Sequence, residues 1–390
     1  MPSYVSSDAN RFYTALESAY GQVPAITAAQ RIPAGKLTVR QQREATTRKD
    51  KTGSRTFAGL PPGGRKRTQF QLNTYMTGWN KQTAQPAYGP LFQAALGAAP
   101  LTFAGGAAGA GSYDTTLVFS GTHSLAVGQA VVYGGEIRFV DAIVNQTTVV
   151  LSAPFTAPLP AGAAIGATVT YTPATALGSA SLFDYWSPGT AVQRILCGAA
   201  IDQMQVQLNG DFHEFQFSGL AHDVLDSSSF ESGQAQLQSF PAEPALADFD
   251  YALIPGSLGQ AWLGTTPARF CTVTAATLVL ENNLDTRTRE FGACLPQALS
   301  AGPRTVRASF DVFQKDDNAT KALYQAARQE SPISVMFQLG ELDGHVMGIW
   351  MRSVIPNVPE FNDGDPRVQW SFRESRAVGT VDDEIAVAFG

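Results

Sequence analysis

Alternating apolar and polar residues are the dominant pattern along this chain, and the pattern predicts antiparallel β-strands. KLTVRQQ at residues 36–42 and TQFQLNTYM at residues 68–76 both follow a period of two, as half-buried strands do. A long polar loop separates them, so together they predict a hairpin with an unusually long tip. ATLVLENN at residues 276–283 and VRASFDVFQ at residues 306–314 predict a second hairpin of the same design.

A short helix is predicted after each hairpin. ATKALYQAAR at residues 319–328 consists of good helix formers, with Leu323 and Ala327 on one face. Asp316 or Asp317 is placed to cap its first turn. In the earlier segment Pro90 lies near the expected helix start, where its missing N–H is tolerated.

More strands are predicted after the second helix. ISVMFQLGE at residues 333–341 and GHVMGIWMRSV at residues 344–354 are joined through Asp343 and Gly344, and Asp-Gly is a strong signal for a hairpin turn. PRVQWSFRE at residues 366–374 closes the unit. We therefore expect each unit to be a β-sandwich or half-barrel with one flanking helix.

Three matched segments occur in the same order in both halves of the chain. RTFAGLPPGGRKRTQFQL at residues 55–72 and REFGACLPQALSAGPRTVRASFDV at residues 289–312 share an aromatic residue, Leu-Pro, a Gly-containing loop, Arg, and a strand with Phe. The other matched pairs are LFQAAL at 91–96 with LYQAAR at 323–328, and GDFHEFQFS at 210–218 with GDPRVQWS at 364–371. The preserved order predicts an internal duplication, whose halves we call copy one and copy two.

Copy one is interrupted after its predicted helix. A Gly/Ala-rich stretch, GAAPLTFAGGAAGAGSYD, leads into short β-branched segments such as TTLVFSG and TTVVLSAPF, which turn residues separate. Copy two runs from its helix directly into a strand. Residues 98–175 are therefore expected to be a small all-β domain inserted in a surface loop.

The expected fold class is mainly β with one flanking helix per repeat, an α+β arrangement of two tandem domains plus the insert. The predicted division is an N-terminal arm at residues 1–34, copy one at 35–97 and 190–245, the insert at 98–175, a return connection at 176–189, a linker at 246–268, and copy two at 269–390.

Composition narrows the class of protein. The chain has 390 residues, of which 44% are hydrophobic and 15% charged, with 36 Gly and 23 Pro, as in a globular, turn-rich β-protein. Its net charge of −6 argues against a general nucleic-acid binder. No membrane span or signal peptide is predicted. Three cysteines, Cys197, Cys271 and Cys294, fit a reducing compartment.

Candidate catalytic patterns are weak. The four histidines, His123, His213, His222 and His345, are scattered and match no zinc-site spacing. LPPGGRKRT lacks the Walker spacing, and NDGD at residues 362–365 lacks the other ligands of a calcium loop. No nucleophile elbow is present. We therefore expect no enzyme activity, no cofactor and no metal.

The order of strand, long Leu-Pro loop, Arg-x-x-Phe strand, helix and terminal hairpin resembles the tail tube proteins of long-tailed, siphovirus-like bacteriophages. The opening segment NRFYTALESAYGQVPAIT is similar to how such chains begin. The resemblance covers residues 272–380 best, and copy one once the insert is removed.

The resemblance implies a structural virion protein. Members of the family form rings that stack into a hollow tube, whose inner wall is a β-barrel built from hairpins of neighbouring subunits, and genomic DNA passes through without specific binding. Most members have one fold per chain and form hexamers, so a duplicated chain implies a homotrimer with pseudo-sixfold symmetry. It further implies assembly in the host bacterial cytoplasm, a place in the virion tail, and contacts with terminator, tape-measure and baseplate proteins.

Two alternatives remain open at this point. One is another ring-forming tail protein, such as a tail terminator or a baseplate tube-like protein. The other is a carbohydrate-binding β-sandwich adhesin, in which the insert carries the binding function.

The long loop of copy one carries an excess of positive charge. We predict that it drives ring stacking through Arg48, Lys49, Lys51, Arg55, Phe57, Leu60, Arg65, Lys66 and Arg67. The equivalent residues of the copy-two loop are Arg287, Arg289, Phe291, Leu295, Arg304 and Arg307. Acidic partners are expected at Asp223, Asp226, Glu231, Glu243, Asp248, Asp250, Asp382, Asp383 and Glu384. A plain solvated loop and a DNA contact are the competing interpretations.

Overall fold

A computed structural model describes residues 4–44, 51, 53–55, 64–81, 83–247, 249, 252–286, 290–364 and 366–390. Over these residues the chain is mostly β-strand, with two α-helices and two short 3-10 turns. The expected mainly β class is therefore confirmed.

The first half of the chain contains strands β1 to β16 and helix α1. They are β1 Asn10–Leu16, β2 Arg31–Ile32, β3 Ala34–Arg43, β4 Lys66–Tyr75, α1 Gly89–Leu96, β5 Leu101–Phe103, β6 Gly106–Ala107, β7 Thr116–Val118, β8 Ala130–Tyr133, β9 Glu136–Asn145, β10 Thr148–Leu151, β11 Ala164–Ile165, β12 Thr168–Tyr171, β13 Ala180–Trp186, β14 Arg194–Leu208, β15 Glu214–Ala221 and β16 Asp223–Asp226.

The second half contains strands β17 to β27 and helix α2. They are β17 Gly259–Gly264, β18 Ala268–Arg269, β19 Val273–Glu281, β20 Asp285–Thr286, β21 Leu299–Ser300, β22 Thr305–Phe313, α2 Asn318–Arg328, β23 Ile333–Leu339, β24 Met347–Ile355, β25 Glu360–Asn362, β26 Gln369–Ala377 and β27 Ala386–Phe389. The 3-10 turns are Ala28–Gln30 and Gln234–Gln236.

Both predicted hairpins are present, because apolar residues on one face of each strand enter the core. β3 pairs antiparallel with β4, and β19 with β22. In β22 every second residue is buried, which is the burial that the alternating sequence predicts. The predicted turn through Asp343 and Gly344 also joins β23 to β24, with Gly344 at a φ of 77°.

The two helices begin where their sequences indicate. The Asp317 side chain accepts a hydrogen bond from the Thr320 amide at 2.7 Å and caps α2. Pro90 lies in the first turn of α1. Leu323 and Ala327 are buried on the inner face of α2.

Strand pairing follows one order in both halves of the chain. In the N-terminal set (β1–β4, α1 and β13–β16), β1 pairs with β2 and β13, β13 with β14, and β14 with both β15 and β16. In the C-terminal set (β17–β19, β22, α2 and β23–β27), β17 pairs with β18 and β23, β23 with β24, and β24 with both β26 and β27.

Three segments that the sequence analysis treated as connections carry strands of these sheets. The predicted arm contains β1 and β2, the return connection contains β13, and the linker contains β17 and β18. β13 and most of β1 are buried on both faces, so their apolar residues run continuously instead of alternating. Because these strands do not alternate, the search for a period of two did not identify them.

The predicted insert is divided between two environments. Strands β7, β10, β9 and β8 form a separate four-stranded sheet, and β6 pairs with β11. These strands surround their own apolar core, which includes Leu117, Phe119 and Val149. We call residues 104–167 the small β-domain. In contrast, β12 pairs with β5 and with β27, and so extends the C-terminal set.

Each set has an outer apolar face, and a different segment covers each one. In the N-terminal set Tyr13, Phe183 and Ile195 lie beneath Phe230, Leu237 and Phe240. In the C-terminal set Trp262, Met336 and Trp350 lie beneath Ile137 and Phe139 of the small β-domain. The small β-domain therefore occupies the position on one set that residues 230–240 occupy on the other.

Candidate assembly interface

The two sets are joined through the edges of their sheets. Residues 203–208 of β14 pair antiparallel with residues 281–276 of β19. Met204 and Leu280 are opposite each other in this joint, and both are fully buried. Asn282 stabilises one end, since its side-chain amide donates to the carbonyls of Ala95 and Ile201 at 2.9 Å. We call this contact the internal joint.

The internal joint creates one continuous curved sheet, which we call the ribbon. Its strands lie in the order β3, β4, β15, β14, β19, β22, β26 and β25. β25 continues the line of β24 along β26, because Ile355 pairs with Arg376 and Glu360 pairs with Ser371. Each set thus supplies four strands.

Both ends of the ribbon are open within the described chain. β3 pairs there only with β4, and β25 only with β26. β3 has 10 residues, and its last four are all exposed. A strand edge of this length carries a row of backbone N–H and C=O groups that can pair with another strand.

The β25 end exposes apolar side chains that have buried counterparts in the internal joint. Trp370 and Phe217 are equivalent in the matched segments GDPRVQWS and GDFHEFQFS. Phe361 is the strand partner of Trp370, and Met204 is the strand partner of Phe217, so Phe361 corresponds to Met204. Met204 is 0% exposed, whereas Phe361 is 56% exposed and nearby Val358 is 48% exposed. The β25 end therefore exposes apolar side chains at positions whose counterparts are buried in the internal joint.

The two open ends carry charges of opposite sign. Lys36, Arg40 and Arg43 are exposed on β3, whereas Glu360 and Asp363 are exposed at the β25 end. Pairing of β3 with β25 of another molecule would bring these signs together, while pairing of β3 with β3 would oppose like charges. The electrostatics favour a head-to-tail contact.

Helix α1, near the internal joint, is more deeply buried than helix α2, near the open β25 end. Phe92 of α1 contacts Phe389 of β27 with a ring-centroid separation of 5.2 Å, so the C-terminal set helps to enclose α1. Seven of the eight residues of α1 are buried. Tyr324, which corresponds to Phe92 in the matched helix segments, is only partly buried.

A second contact between the sets comes from the loop at residues 282–304. The Lys66 amide donates to the Cys294 carbonyl at 2.9 Å, and Nδ1 of His222 lies 2.7 Å from the Pro296 carbonyl oxygen. Pro296 is buried. The Leu-Pro loop of the C-terminal set is therefore folded against the hairpin base of the N-terminal set. Sequence reasoning assigned no contact to Asn282 or His222, because their partners are backbone carbonyls of segments distant in the sequence.

The predicted loop residues lie in several environments. Arg48, Lys49, Phe57, Leu60, Arg287 and Arg289 lie outside the described residues. Lys51 and Arg55 are exposed, Arg65 directly precedes β4, and Lys66 and Arg67 open it. Phe291 is fully exposed, and Leu295 is partly buried. The stacking role of these residues remains a prediction.

Several of the charged residues have partners in their own chain. Lys66 lies 3.5 Å from Asp223, and Arg304 binds Asp382 and Glu384 at 2.5 Å. Arg307 pairs with Glu281 and Glu374. The acidic residues nominated from sequence include Glu243, which binds Arg11 at 2.5 Å, and Asp226, which accepts from Ser228 and Ser229. Asp248 and Asp250 lie outside the described residues.

A buried polar cluster fastens the small β-domain to the C-terminal set. Arg138 is fully buried, and its guanidinium donates to Glu136 at 2.8 Å, to Gln338 at 3.2 Å and to Gln260 at 3.1 Å. It also lies over the Trp262 ring at 5.0 Å. Burial lowers the pKa of Arg138 to about 10, which still leaves it charged at neutral pH.

No protein-family model and no curated protein matches this chain. Among the described residues, no helix has the length and apolar character to cross a membrane. The same part of the chain contains no cluster of three or more His, Cys, Asp or Glu residues arranged to hold a metal ion.

Proposed function

We propose that this chain is the tail tube subunit of a long-tailed bacteriophage, and that three chains close into a ring. The observation that carries the proposal is the internal joint, in which one half of the chain adds its hairpin edge to the sheet of the other half. A chain that already contains one such joint, and that leaves both equivalent edges open, has the parts for repeated head-to-tail assembly.

Internal duplication is supported by the repeated pairing order. Nine elements of the N-terminal set have counterparts in the C-terminal set. In order, β1, β2, β3 and β4 correspond to β17, β18, β19 and β22, and α1 corresponds to α2. β13, β15 and β16 correspond to β23, β26 and β27, and β14 corresponds to β24 together with its continuation β25. The three matched sequence segments fall within corresponding elements or the loops that precede them. Shared composition alone would not reproduce both the order and the pairing.

The geometry of the open ends supports ring closure. A head-to-tail contact between unlike surfaces is heterologous, and such contacts form closed rings when the rotation between subunits closes. If β3 of each chain pairs with β25 of the next as β19 pairs with β14, every open edge is satisfied. Eight ribbon strands per chain then give 24 strands in a ring of three.

The polar face of the ribbon suits a channel for DNA. Opposite the apolar core it presents uncharged side chains, among them Gln71, Asn73, Gln203, Gln205, Gln216, Ser218, Thr277 and Ser309. Of the arginines on this face, Arg307 pairs with Glu281 and Arg373 pairs with Asp311 at 3.0 Å, whereas Arg40 and Arg67 are exposed near the β3 end. Unpaired cations would bind phosphates and retard a passing genome.

Native mass spectrometry combined with electron microscopy tests the proposal. We expect a species with the mass of three 41.5 kDa chains, and images of rings or tubes with a central channel. Chains that remain monomeric across micromolar concentrations would contradict assembly. Rings of six chains would retain the tube assignment but contradict the pseudo-sixfold arrangement.

A further inference from the structure

We propose that a groove on the C-terminal set is the receptor for the copy-one loop, residues 44–65, of a second copy of this chain. The inference rests on the proposed ring and specifies a contact within it. The groove is a cavity of about 490 Å³ whose lining includes Arg304, Val306, Ile355, Arg376, Thr380, Asp382 and Glu384. It lies where β24, β26 and the start of β22 meet.

An equivalent contact already exists within the chain, between the copy-two loop and the N-terminal set. The copy-two loop reaches the N-terminal set at two points, where Cys294 accepts from the Lys66 amide and Pro296 faces His222. Lys66 opens β4, and His222 lies at the bend between β15 and β16. A Leu-Pro loop thus binds where the hairpin base meets a bend in the neighbouring strand.

The groove occupies the equivalent place on the C-terminal set. Val306 corresponds to Lys66, because Arg307 and Arg67 are matched in the duplicated segments. The bend between β26 and β27, at residues 378–385, corresponds to the bend at His222. Both features line the groove, so the surface that the copy-two loop covers on one set is an open cavity on the other.

The copy-one loop has the composition to fill this cavity. It repeats the Leu-Pro pair as Leu60 and Pro61, and Gly59 takes the sequence position of Cys294. Residues 44–65 contain five basic and two acidic residues, whereas residues 282–304 contain three basic and two acidic. Asp382 and Glu384 line the groove but already bind Arg304, which lines it together with Arg376, so the shared Leu-Pro pair and the equivalent position, and not charge, argue for this loop.

The second copy must be the lateral neighbour in the ring. The chain that supplies β3 to the open β25 end also brings its own hairpin loop to that end, because the loop joins β3 to β4. In the internal joint, β19 and the loop that follows it contact the same set. We therefore assign this loop to contacts within a ring, which differs from the stacking role predicted from its basic and apolar residues.

Disulfide trapping tests the contact in assembled protein. In a background with Cys271→Ser and Cys294→Ser, Gly59→Cys is combined with Thr380→Cys, which lines the groove. Mild oxidation should give covalent dimers and trimers on a non-reducing gel, and no longer products. Mixing chains that carry Gly59→Cys alone with chains that carry Thr380→Cys alone should give dimers only.

A matched control places the second cysteine beyond the end of β24 that is far from the groove. Leu342 is 65% exposed and precedes β24, whose nine residues span about 30 Å. Gly59→Cys combined with Leu342→Cys should give at least tenfold less cross-linked product.

The outcomes separate this inference from the proposed function. Rings of three that form no Gly59–Thr380 bridge, or a bridge only within one chain, would overturn the loop contact and leave the ring intact. Products longer than three chains would show that the loop reaches another ring, which also overturns the lateral assignment. Wild-type chains that never assemble would overturn both.

Discussion

At the residue scale, Arg138 shows how the small β-domain is held. A buried cation is tolerated only when its charge and its hydrogen-bond donors are satisfied. Arg138 has a carboxylate partner in Glu136, amide oxygens from Gln260 and Gln338, and the carbonyls of Ile137 and Pro154. Gln260 and Gln338 belong to the C-terminal set, so this cluster connects the two units.

Replacing Arg138 with Met should destabilise the protein by about 3–5 kcal/mol, because Glu136 would lose its buried countercharge. Urea unfolding at pH 7 measures the loss. Arg352→Met is the matched control, since Arg352 and Asp141 also bridge the two units at 3.0 Å but are 48% and 37% exposed. It should cost only about 0–1 kcal/mol.

The double variant Arg138→Met with Glu136→Gln tests the cause of that loss. It removes both charges, so it should recover part of the stability that Arg138→Met loses. Equal losses for Arg138→Met and Arg352→Met would contradict the role given to the buried pair.

At the element scale, the sequence predicted the hairpins and α2 well because each has one buried face, whereas α1 is buried over seven of its eight residues and was indicated by Pro90 near its start. Alternation identified β3, β4, β19 and β22, and Asp317 marked the start of α2. The same rule missed β1 and β13, which have apolar contacts on both sides.

The interface is less accessible to sequence reasoning than the elements themselves. Nothing in the local pattern of β25 indicates that Phe361 is exposed at an open edge while its counterpart Met204 is buried. That difference depends on which strand lies beside each residue, and strand neighbours are a property of the tertiary fold.

The boundary of the small β-domain can be tested by excision. Thr168 of β12 lies directly opposite Phe103 of β5, so an Asn-Gly turn can replace residues 104–167 and preserve both strands. The shortened chain should keep its sheets but expose Trp262, Met336 and Trp350. We expect a lower urea midpoint and increased binding of a hydrophobic dye, with about 1.5–3 kcal/mol lost for each large side chain that becomes fully exposed.

The wider excision suggested by the sequence boundaries provides the comparison. Replacing residues 99–175 also removes β5 and β12, which leaves β27 without one neighbour and removes the buried Tyr171. That variant should be less stable than the narrower one. Equal stability would show that β5 and β12 do not stabilise the C-terminal set.

At the scale of the whole molecule, assembly depends on whether the open edges are the contact surfaces. Val358→Asp with Phe361→Asp would place two carboxylates in the proposed joint, next to Glu360 and Asp363. Burying them without partners is costly, and about 1.4 kcal/mol already lowers an association constant tenfold. We expect at least a tenfold loss of rings at matched concentration, measured by mass photometry.

The control for this variant is Ile143→Asp with Val144→Asp on the small β-domain. These residues are 44% and 60% exposed, against 48% and 56% for Val358 and Phe361, so the two variants change similar amounts of exposed apolar surface. Phe361 also contacts the rings of Tyr324 and Trp370, so urea unfolding of the monomer must accompany the assembly measurement. Loss of rings in the edge variant alone, with the monomer still folded, supports closure through β3 and β25. Equal assembly of both variants would place the interface elsewhere, because a strand edge that carries two added charges could not then be the surface that closes the ring.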